Sequence, residues 1–487
     1  MDGKIKVKCQ PQCPEPIPGV SCHGSTDDLP GEVISFPMPE NGAADINGGG
    51  FAAPGEVPLN EDDIAKHFAT AFHHKLRFDH SADLWFLWNG THWKQNKTEI
   101  GFDFARLFCR EHRAGQSRMA TKKAAEAVEH MARRDQRLAV TSDIWDREPL
   151  LLGTPGGTVD LRTGILIPPN PLSYISKITR VAPALKGSAC PVFMKFLGEA
   201  TGGDAELQRF LQLWAGYCLT GRTDEQALLF IYGTGGNGKG VFVKVMTEIL
   251  GDYAISAAME TFLASKHQRH PTELAMLQGA RLVTASELEI NQAWSESRIN
   301  QLTGEDPITA RYMHKDHFTY LSQFKLMLIG NHKPKLASVN EAARRRFNIV
   351  PFPYKPKVPD KTLMEKLRKE YDAILRWMID GCLDWQEIGL VRPKIVSETT
   401  EQYFSDQDLV AQWIEECCEV GPGKGAAAKV LFTSWSDYMQ ANGEAPGTST
   451  SFGIMLNQRG YERKKSGAIR YIGIQPKPVS SMNFSDP

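Results

Sequence analysis

One stretch of this chain leaves little conformational choice. An apolar run, Ala227-Leu-Leu-Phe-Ile-Tyr232, leads into Gly233-Thr-Gly-Gly-Asn-Gly-Lys239-Gly240, and a helical pattern, Val241-Phe-Val-Lys-Val-Met-Thr-Glu-Ile-Leu250, follows it. That order predicts strand, loop and helix. Glycines let successive backbone N–H groups turn inward toward phosphate oxygens. Lys239 adds a point charge near the β- and γ-phosphates, and the positive end of the helix dipole completes the cradle. Gly233, Thr234, Gly235, Gly236, Asn237, Gly238, Lys239, Gly240 and Val241 are therefore the candidate nucleotide-binding residues. The plain alternative is a glycine-rich turn.

One position departs from the usual pattern. After Gly-x-x-x-x-Gly-Lys a Ser or Thr hydroxyl normally ligates Mg²⁺, and here Gly240 stands there. Either Mg²⁺ is held by water and by acidic residues further on, or the loop binds nucleotide and turns it over slowly. The stretch Ala280-Arg-Leu-Val-Thr-Ala-Ser-Glu287-Leu-Glu289 reads as a strand ending in acid. A carboxylate there orients Mg²⁺, directly or through water, and a second polarises the attacking water. Glu287, the candidate metal residue, and Glu289 are placed in those roles; otherwise they are an acidic strand end. A further strand, Phe324-Lys-Leu-Met-Leu-Ile-Gly330, stops at Asn331, a polar residue able to hold the attacking water or the γ-phosphate. Beyond it, Arg344, Arg345 and Arg346 offer guanidinium groups suited to a neighbour's γ-phosphate. Singly, such arginines are most often a solvated patch.

A chain of 487 residues has room for about three domains. Lys+Arg 56 against Asp+Glu 57 leaves a net charge of -1, so any surface for nucleic acid must be local. The start lacks the apolar stretch of a secretory signal, and no run approaches the roughly 18 apolar residues of a spanning helix. A soluble, cytoplasmic protein without a membrane partner is expected. Nine cysteines, an odd and scattered set, fit reduced thiols better than a disulfide framework. Cys9, Cys13, Cys22 and His23 could offer zinc ligands, but their irregular, proline-rich spacing fits a disordered leader better.

Along the chain, 1–58 is rich in Pro, Gly and Asp and is expected to be a tail. Asn60 is placed as the cap of a helix running to about Lys75, and Leu84 to Lys94 as a hairpin around Asn89-Gly90. Helices are expected over 102–113 and 122–137, the second with a basic face of Arg133, Arg134 and Arg137. Short strands over 151–164 and two more helices complete an α+β region, 59–219. The nucleotide domain is expected over 220–355, a helical connector over 356–404, a module over 405–475 and a tail over 476–487. In the module, two amphipathic helices precede a hairpin turning at Ser466-Gly467, the pattern of a winged helix. Its wing carries Arg463, Lys464, Lys465 and Arg470, a local basic patch suited to DNA phosphates. Winged helices also serve as plain protein contacts.

Three stretches make the pattern specific: Leu302-Thr-Gly-Glu-Asp-Pro-Ile-Thr-Ala-Arg311, Phe324-Lys-Leu-Met-Leu-Ile-Gly-Asn-His-Lys-Pro334 and Arg344-Arg-Arg-Phe. They resemble the superfamily 3 helicase core of phage and plasmid primase-helicases, the group related to the poxvirus primase-helicase. Thr154-Pro-Gly-Gly-Thr-Val-Asp-Leu-Arg-Thr-Gly164, Cys190-Pro191 and Phe210-Leu-Gln-Leu-Trp-Ala-Gly-Tyr-Cys-Leu-Thr-Gly221 are similar to the domain that precedes that core. The resemblance implies an α/β fold: an AAA+ type P-loop NTPase core, a mixed α+β N-terminal domain and a C-terminal winged helix. It implies a homohexameric ring with ATP and Mg²⁺ at subunit junctions and single-stranded DNA in the channel. By it, Gly233 to Gly240 is the phosphate loop, Ser286-Glu287 the Walker B end, Asn331 the sensor and Arg345 the arginine finger, with Arg344 or Arg346 as substitutes. The segment from Ala310 through Arg311, His314 and Lys315 resembles the hairpin that grips DNA in the channel; its alternative is an exposed basic turn.

The family also carries an N-terminal priming domain, which the 58-residue tail is too short to hold. No primase activity is expected of this chain, and a separate primase becomes a candidate partner. The expected function is an ATP-driven DNA helicase in replication of a phage, prophage or plasmid. The rival is an ATP-binding origin-recognition or assembly factor that does not translocate. A small-molecule kinase is disfavoured, because it needs neither a winged helix nor an arginine in trans.

Overall fold

The computed structural model describes residues 60–112, 120–265, 272–286, 292–313, 316–336, 341–356, 358–466 and 468–478. The expected leader with Cys9, Cys13 and Cys22 lies outside them, as do Glu287, Glu289, His314 and Lys315. The fold is mixed α/β with several separate sheets. Among the described residues, contacts form two compact units: those up to His74 together with those of 99–138, and those of 75–98 together with those from Ala139 on.

The first unit is built from the helices Glu61–Phe72, Ile100–Glu111 and Lys122–Ala132. Asn60 caps the first as expected: its side chain accepts from Asp63 N at 2.9 Å, and Asp63 closes a capping box. Phe68, Phe72, Phe104 and Phe108 interlock, with Phe68 and Phe108 edge to face at 5.7 Å. The helix expected over 122–137 stops at Ala132, and its basic face is partly committed. Arg133 pairs with Glu129, and Arg137 pairs with Asp135 and donates to Thr70 Oγ1 at 2.7 Å.

In the second unit, Trp93–Asn96, Leu84–Trp88, Leu76–Asp79 and Ala139–Val140 form a four-stranded sheet in that order. The hairpin turn is longer than Asn89-Gly90 alone. Asn89 Oδ1 accepts from the backbone N–H groups of Thr91 and His92, both at 3.0 Å, and Asn89 N donates to His92 O. Gly90, at φ 98°, supplies the left-handed residue. The first helix stops at Phe72, short of the expected Lys75, and after a turn the sheet begins at Leu76, with Leu76 and Phe78 buried.

The central sheet has five strands in the order Phe347–Pro351, Leu228–Tyr232, Lys325–Gly330, Leu282–Ala285, Ala254–Ser256, all parallel. Near-continuous apolar runs such as Leu-Leu-Phe-Ile suit strands covered on both faces. One hydrophobic core extends from Leu152 to Val396, joining residues expected in the 59–219, 220–355 and 356–404 segments. Trp214, Tyr217, Phe242, Met378 and Trp385 lie in it. Two buried basic side chains secure the join. Arg281 Nη2 donates to Leu151 O at 2.7 Å and Nη1 to Leu219 O. Lys325 Nζ donates to Thr220 O, Arg222 O and Gln323 O.

The C-terminal module packs the helices Leu409–Cys417, Ala428–Ala441 and Ser449–Gln458 against a sheet. Trp413, Trp435 and Phe452 form its aromatic centre. The hairpin of Arg463–Ser466 and Ala468–Pro476 appears as expected, but a third strand, Cys418–Ala427, pairs with Ala468–Pro476. Gly421-Pro-Gly423 gives that segment the composition of a loop, and a register shift between Val420 and Gly425 absorbs it. Cys109, Cys190, Cys218, Cys382, Cys417 and Cys418 are free thiols.

Candidate functional site

Leu228–Tyr232 lies between Phe347–Pro351 and Lys325–Gly330, whereas the chain leaving it crosses to the far edge strand Ala254–Ser256. Its carboxyl end is thus a point where strand order reverses, where open parallel sheets leave a crevice. Three segments emerge there from neighbouring strands: the glycine loop, Ser286 and Asn331.

The loop's glycines are required by geometry at two positions. A Cβ at Gly233 would lie 2.2 Å from Asn237 Nδ2 and 2.6 Å from Phe352 O; one at Gly238, φ 87°, would lie 2.9 Å from Phe196. Asn237 is buried and donates to Phe352 O at 2.7 Å, which ties the loop to the segment after the edge strand. Lys239 opens the helix Lys239–Leu250 and is 6% exposed. Its Nζ donates to Gly233 O at 2.6 Å, Asn237 Oδ1 at 3.0 Å and Asn331 Oδ1 at 3.0 Å, with Thr234 O at 3.4 Å. Desolvation lowers its pKa from the ordinary lysine value.

Gly235, Gly236, Asn237, Gly238, Lys239, Gly240, Val241 and Asn331 line a cavity of about 470 Å³. A second, about 380 Å³, opens beside it between Gly240, Lys244, Glu248, Thr284 and Ser286. A flexible glycine cradle, an ammonium and the N-terminus of a 12-residue helix fit a polyphosphate. For Mg²⁺, Gly240 offers no side chain; Thr284 and Ser286 are among the residues lining the adjoining cavity, while the Glu248 carboxylate there is held by Arg368 and Tyr371.

The three arginines end the helix Glu341–Arg346 and point to different tasks. Arg344 pairs with Glu401 and lies over the Phe404 ring at 5.3 Å. Arg346 is buried and donates to Ala342 O at 2.8 Å. Arg345 is exposed, meeting Gln226 Oε1 at 3.4 Å, while Arg392 donates to the Arg345 carbonyl and steadies the backbone. Arg345 is thus the guanidinium most available to another molecule.

Arg311 ends Ile308–Arg311, which pairs with His317–Tyr320 in the expected hairpin. Tyr312 and Phe318 stack at 5.4 Å along it. In the C-terminal module, Lys464 and Arg470 are register partners, whereas Arg463 and Lys465 lie opposite Tyr471 and Ile469. The four hairpin cations therefore divide between two faces. Arg470 also donates to Gly425 O at 2.9 Å.

Two connections had no signal in the sequence. Beyond Asn331, Trp294 Nε1 donates to Tyr403 Oη at 3.0 Å, Tyr403 donates to Pro334 O, and Lys335 pairs with Glu444 of the C-terminal module. Lys355 reaches over Gly236 of the loop. Both join residues distant in sequence, which periodicity and motif spacing do not register.

Residues 65–202 match the family model described as D5 N terminal like, and 231–346 match a family of unknown function. A helicase-named protein of Acanthamoeba polyphaga mimivirus is 24% identical over 292 residues, covering 55% of this chain and 30% of the relative. A helicase-named protein of Frog virus 3 is 25% identical over 262 residues, covering 49% and 27%. The chain thus spans less than a third of either relative's length. Among solved structures, the apo C-terminal region of NrS-1 is 12% identical, with 85% of this chain and 99% of that chain covered at a TM-score of 0.48. The family match and the viral relatives bear out the resemblance to the phage and viral primase-helicase group. No helix among the described residues is long and apolar enough to cross a membrane.

Proposed function

We propose that this chain, a primase-helicase-like protein related to those of viruses and phages, is an ATP-dependent DNA helicase of mobile-element replication. In this reading the five-stranded sheet and glycine loop are an AAA+ type, superfamily 3 P-loop core, 59–219 is the preceding domain, and 405–475 is a winged helix. The observation that supports it best is the meeting of Lys239 with Asn331 beside the glycine loop at the sheet's carboxyl edge. A glycine-rich turn without a nucleotide role needs neither a buried ammonium nor a polar partner at the next strand end.

ATP with Mg²⁺, when bound, supplies a transferable γ-phosphoryl group and neutralises its developing charge. The loop N–H groups and the helix N-terminus hold the phosphates, and Lys239 adds charge at their outer end. Asn331 orients the attacking water or γ-phosphate, Glu287 holds the ion directly or through water, and Glu289 polarises the water. Arg345, delivered from a neighbouring copy in a homohexamer, stabilises the transition-state charge. Arg311, His314 and Lys315 grip single-stranded DNA in the channel, and the wing binds duplex phosphates. A separate primase would supply primers, and the host cytoplasm is the proposed location.

A second reading is favoured by Gly240: an origin-recognition or assembly factor that binds ATP and turns it over slowly. ATP hydrolysis with and without single-stranded DNA, in the natural chain and in Lys239→Ala, separates the two. DNA-stimulated turnover lost in Lys239→Ala supports the helicase. Tight ATP binding without turnover, with turnover appearing in Gly240→Ser, supports the recognition factor. A chain that neither binds nor hydrolyses ATP rejects both.

A further inference from the structure

Resting on the nucleotide reading of the glycine loop, we propose that Lys355 is a second phosphate-binding cation of that site, contacting the β- or γ-phosphate from the segment that follows the edge strand Phe347–Pro351. That segment is pinned to the loop. Phe352 N donates to Tyr232 O at 2.9 Å, Phe352 O accepts from Asn237 Nδ2 at 2.7 Å, and the Phe352 and Phe242 rings meet at 6.1 Å. Three residues on, the Lys355 stem covers the place where a side chain at Gly236 would stand. A Cβ there would lie 3.3 Å from Lys355 Cε and 3.9 Å from its Nζ. Gly236 has φ 82°, so its lack of a side chain serves both the loop's turn and the lysine's approach.

Lys239 and Lys355 divide the work differently. The Lys239 ammonium is nearly buried and engages the loop carbonyl of Gly233 together with Asn237 and Asn331. Lys355 is exposed and, among the described residues, forms no ion pair. Its charge is available to an anion in the cradle. Most exposed lysines are only solvated; the stem over the loop sets this one apart, because the head then stays near the phosphate position without an ordering cost for the whole side chain.

The test is equilibrium binding of a fluorescent ATP analogue, displaced by ATP, ADP or AMP, for the natural chain, Lys355→Ala, Lys355→Arg and Lys239→Ala. Lys355→Ala is expected to weaken ATP about tenfold and AMP little, and Lys355→Arg to retain most of the affinity. Thermal melting of Lys355→Ala should match the natural chain, since the residue is exposed. Unchanged ATP affinity in Lys355→Ala overturns this inference alone, provided that the natural chain binds and Lys239→Ala does not. Equal weakening of ATP and AMP assigns the lysine to loop packing and overturns it too. A natural chain that binds no nucleotide overturns the nucleotide reading together with this inference.

Discussion

Lys239 Nζ and Asn331 Oδ1 stand 3.0 Å apart, joining the first residue of the helix after the glycine loop to the residue that follows the neighbouring strand. Leu228–Tyr232 and Lys325–Gly330 are parallel and hydrogen-bonded, with Gly330 opposite Tyr232, so the chain leaves both strands at one level. Asn331→Ala is expected to leave ATP binding within a few fold and lower turnover about a hundredfold, the scale of removing one positioned transition-state hydrogen bond. Steady-state hydrolysis and analogue binding measured together check this; equal losses in both would reduce Asn331 to a support for Lys239.

Gly240→Ser is sterically free, because nothing lies within 4 Å of a Cβ at Gly240. Its melting temperature should equal or slightly exceed that of the natural chain, since Gly inside a helix costs about 0.5–1 kcal/mol. Mg²⁺-dependent turnover should rise. Gly238→Ala should behave oppositely, combining a positive φ with a Phe196 clash, and lose about 1–3 kcal/mol in denaturant unfolding.

Lys325 is fully buried, and burial drives its pKa down to about 7. The folded chain thus releases this proton below the unfolded value of about 10.5, and between the two its contribution to stability rises with pH. Lys325→Met should remove that rise and leave the carbonyls of Thr220, Arg222 and Gln323 without their shared donor. A net loss of about 1–3 kcal/mol at pH 7 is expected in urea unfolding.

Glu248 accepts from Arg368 at 2.7 and 2.9 Å and from Tyr371 Oη at 3.0 Å, and these partners hold its carboxyl at about 2. A depressed carboxyl stabilises the fold fully above its unfolded value near 4.5 and loses that contribution as pH falls toward 2. Glu248→Gln should flatten the acid side of the stability profile within that window. Thermal melts from pH 5 to 2 would show the two curves converging, and parallel curves would sink the idea.

On the 463–476 hairpin, Lys464→Ala should weaken duplex DNA binding under the proposed reading and make the salt dependence shallower, by about 0.9 in slope for each phosphate that the lysine neutralises. Arg470→Ala should cost DNA affinity and some stability, since Arg470 also holds Gly425 O. Titration at several salt concentrations distinguishes them; an unchanged slope in Lys464→Ala would point to a protein partner instead.

The strand, loop and helix around Lys239 were legible because their signals are local: an apolar run, glycines, then amphipathic periodicity. The two C-terminal helices and the 463–476 hairpin were legible for the same reason. The strand Cys418–Ala427 was not, because Gly421-Pro-Gly423 gives it the composition of a loop and only pairing with Ala468–Pro476 makes it a strand. Leu76–Asp79 was hidden because only a short turn separates it from a helix. The different surroundings of Arg344, Arg345 and Arg346 depend on Glu401, Gln226 and Arg392, none of them near in sequence.

The Lys335–Glu444 pair has a thermodynamic corollary. It sits on the segment that begins at Asn331, so under the proposed nucleotide reading a displacement of that segment on nucleotide binding would be felt at the C-terminal module, and reciprocity would require a ligand of the module to alter nucleotide affinity by the same factor. Both side chains are about two-fifths exposed, so the pair itself transmits at most about 1 kcal/mol, roughly a fivefold change in either affinity.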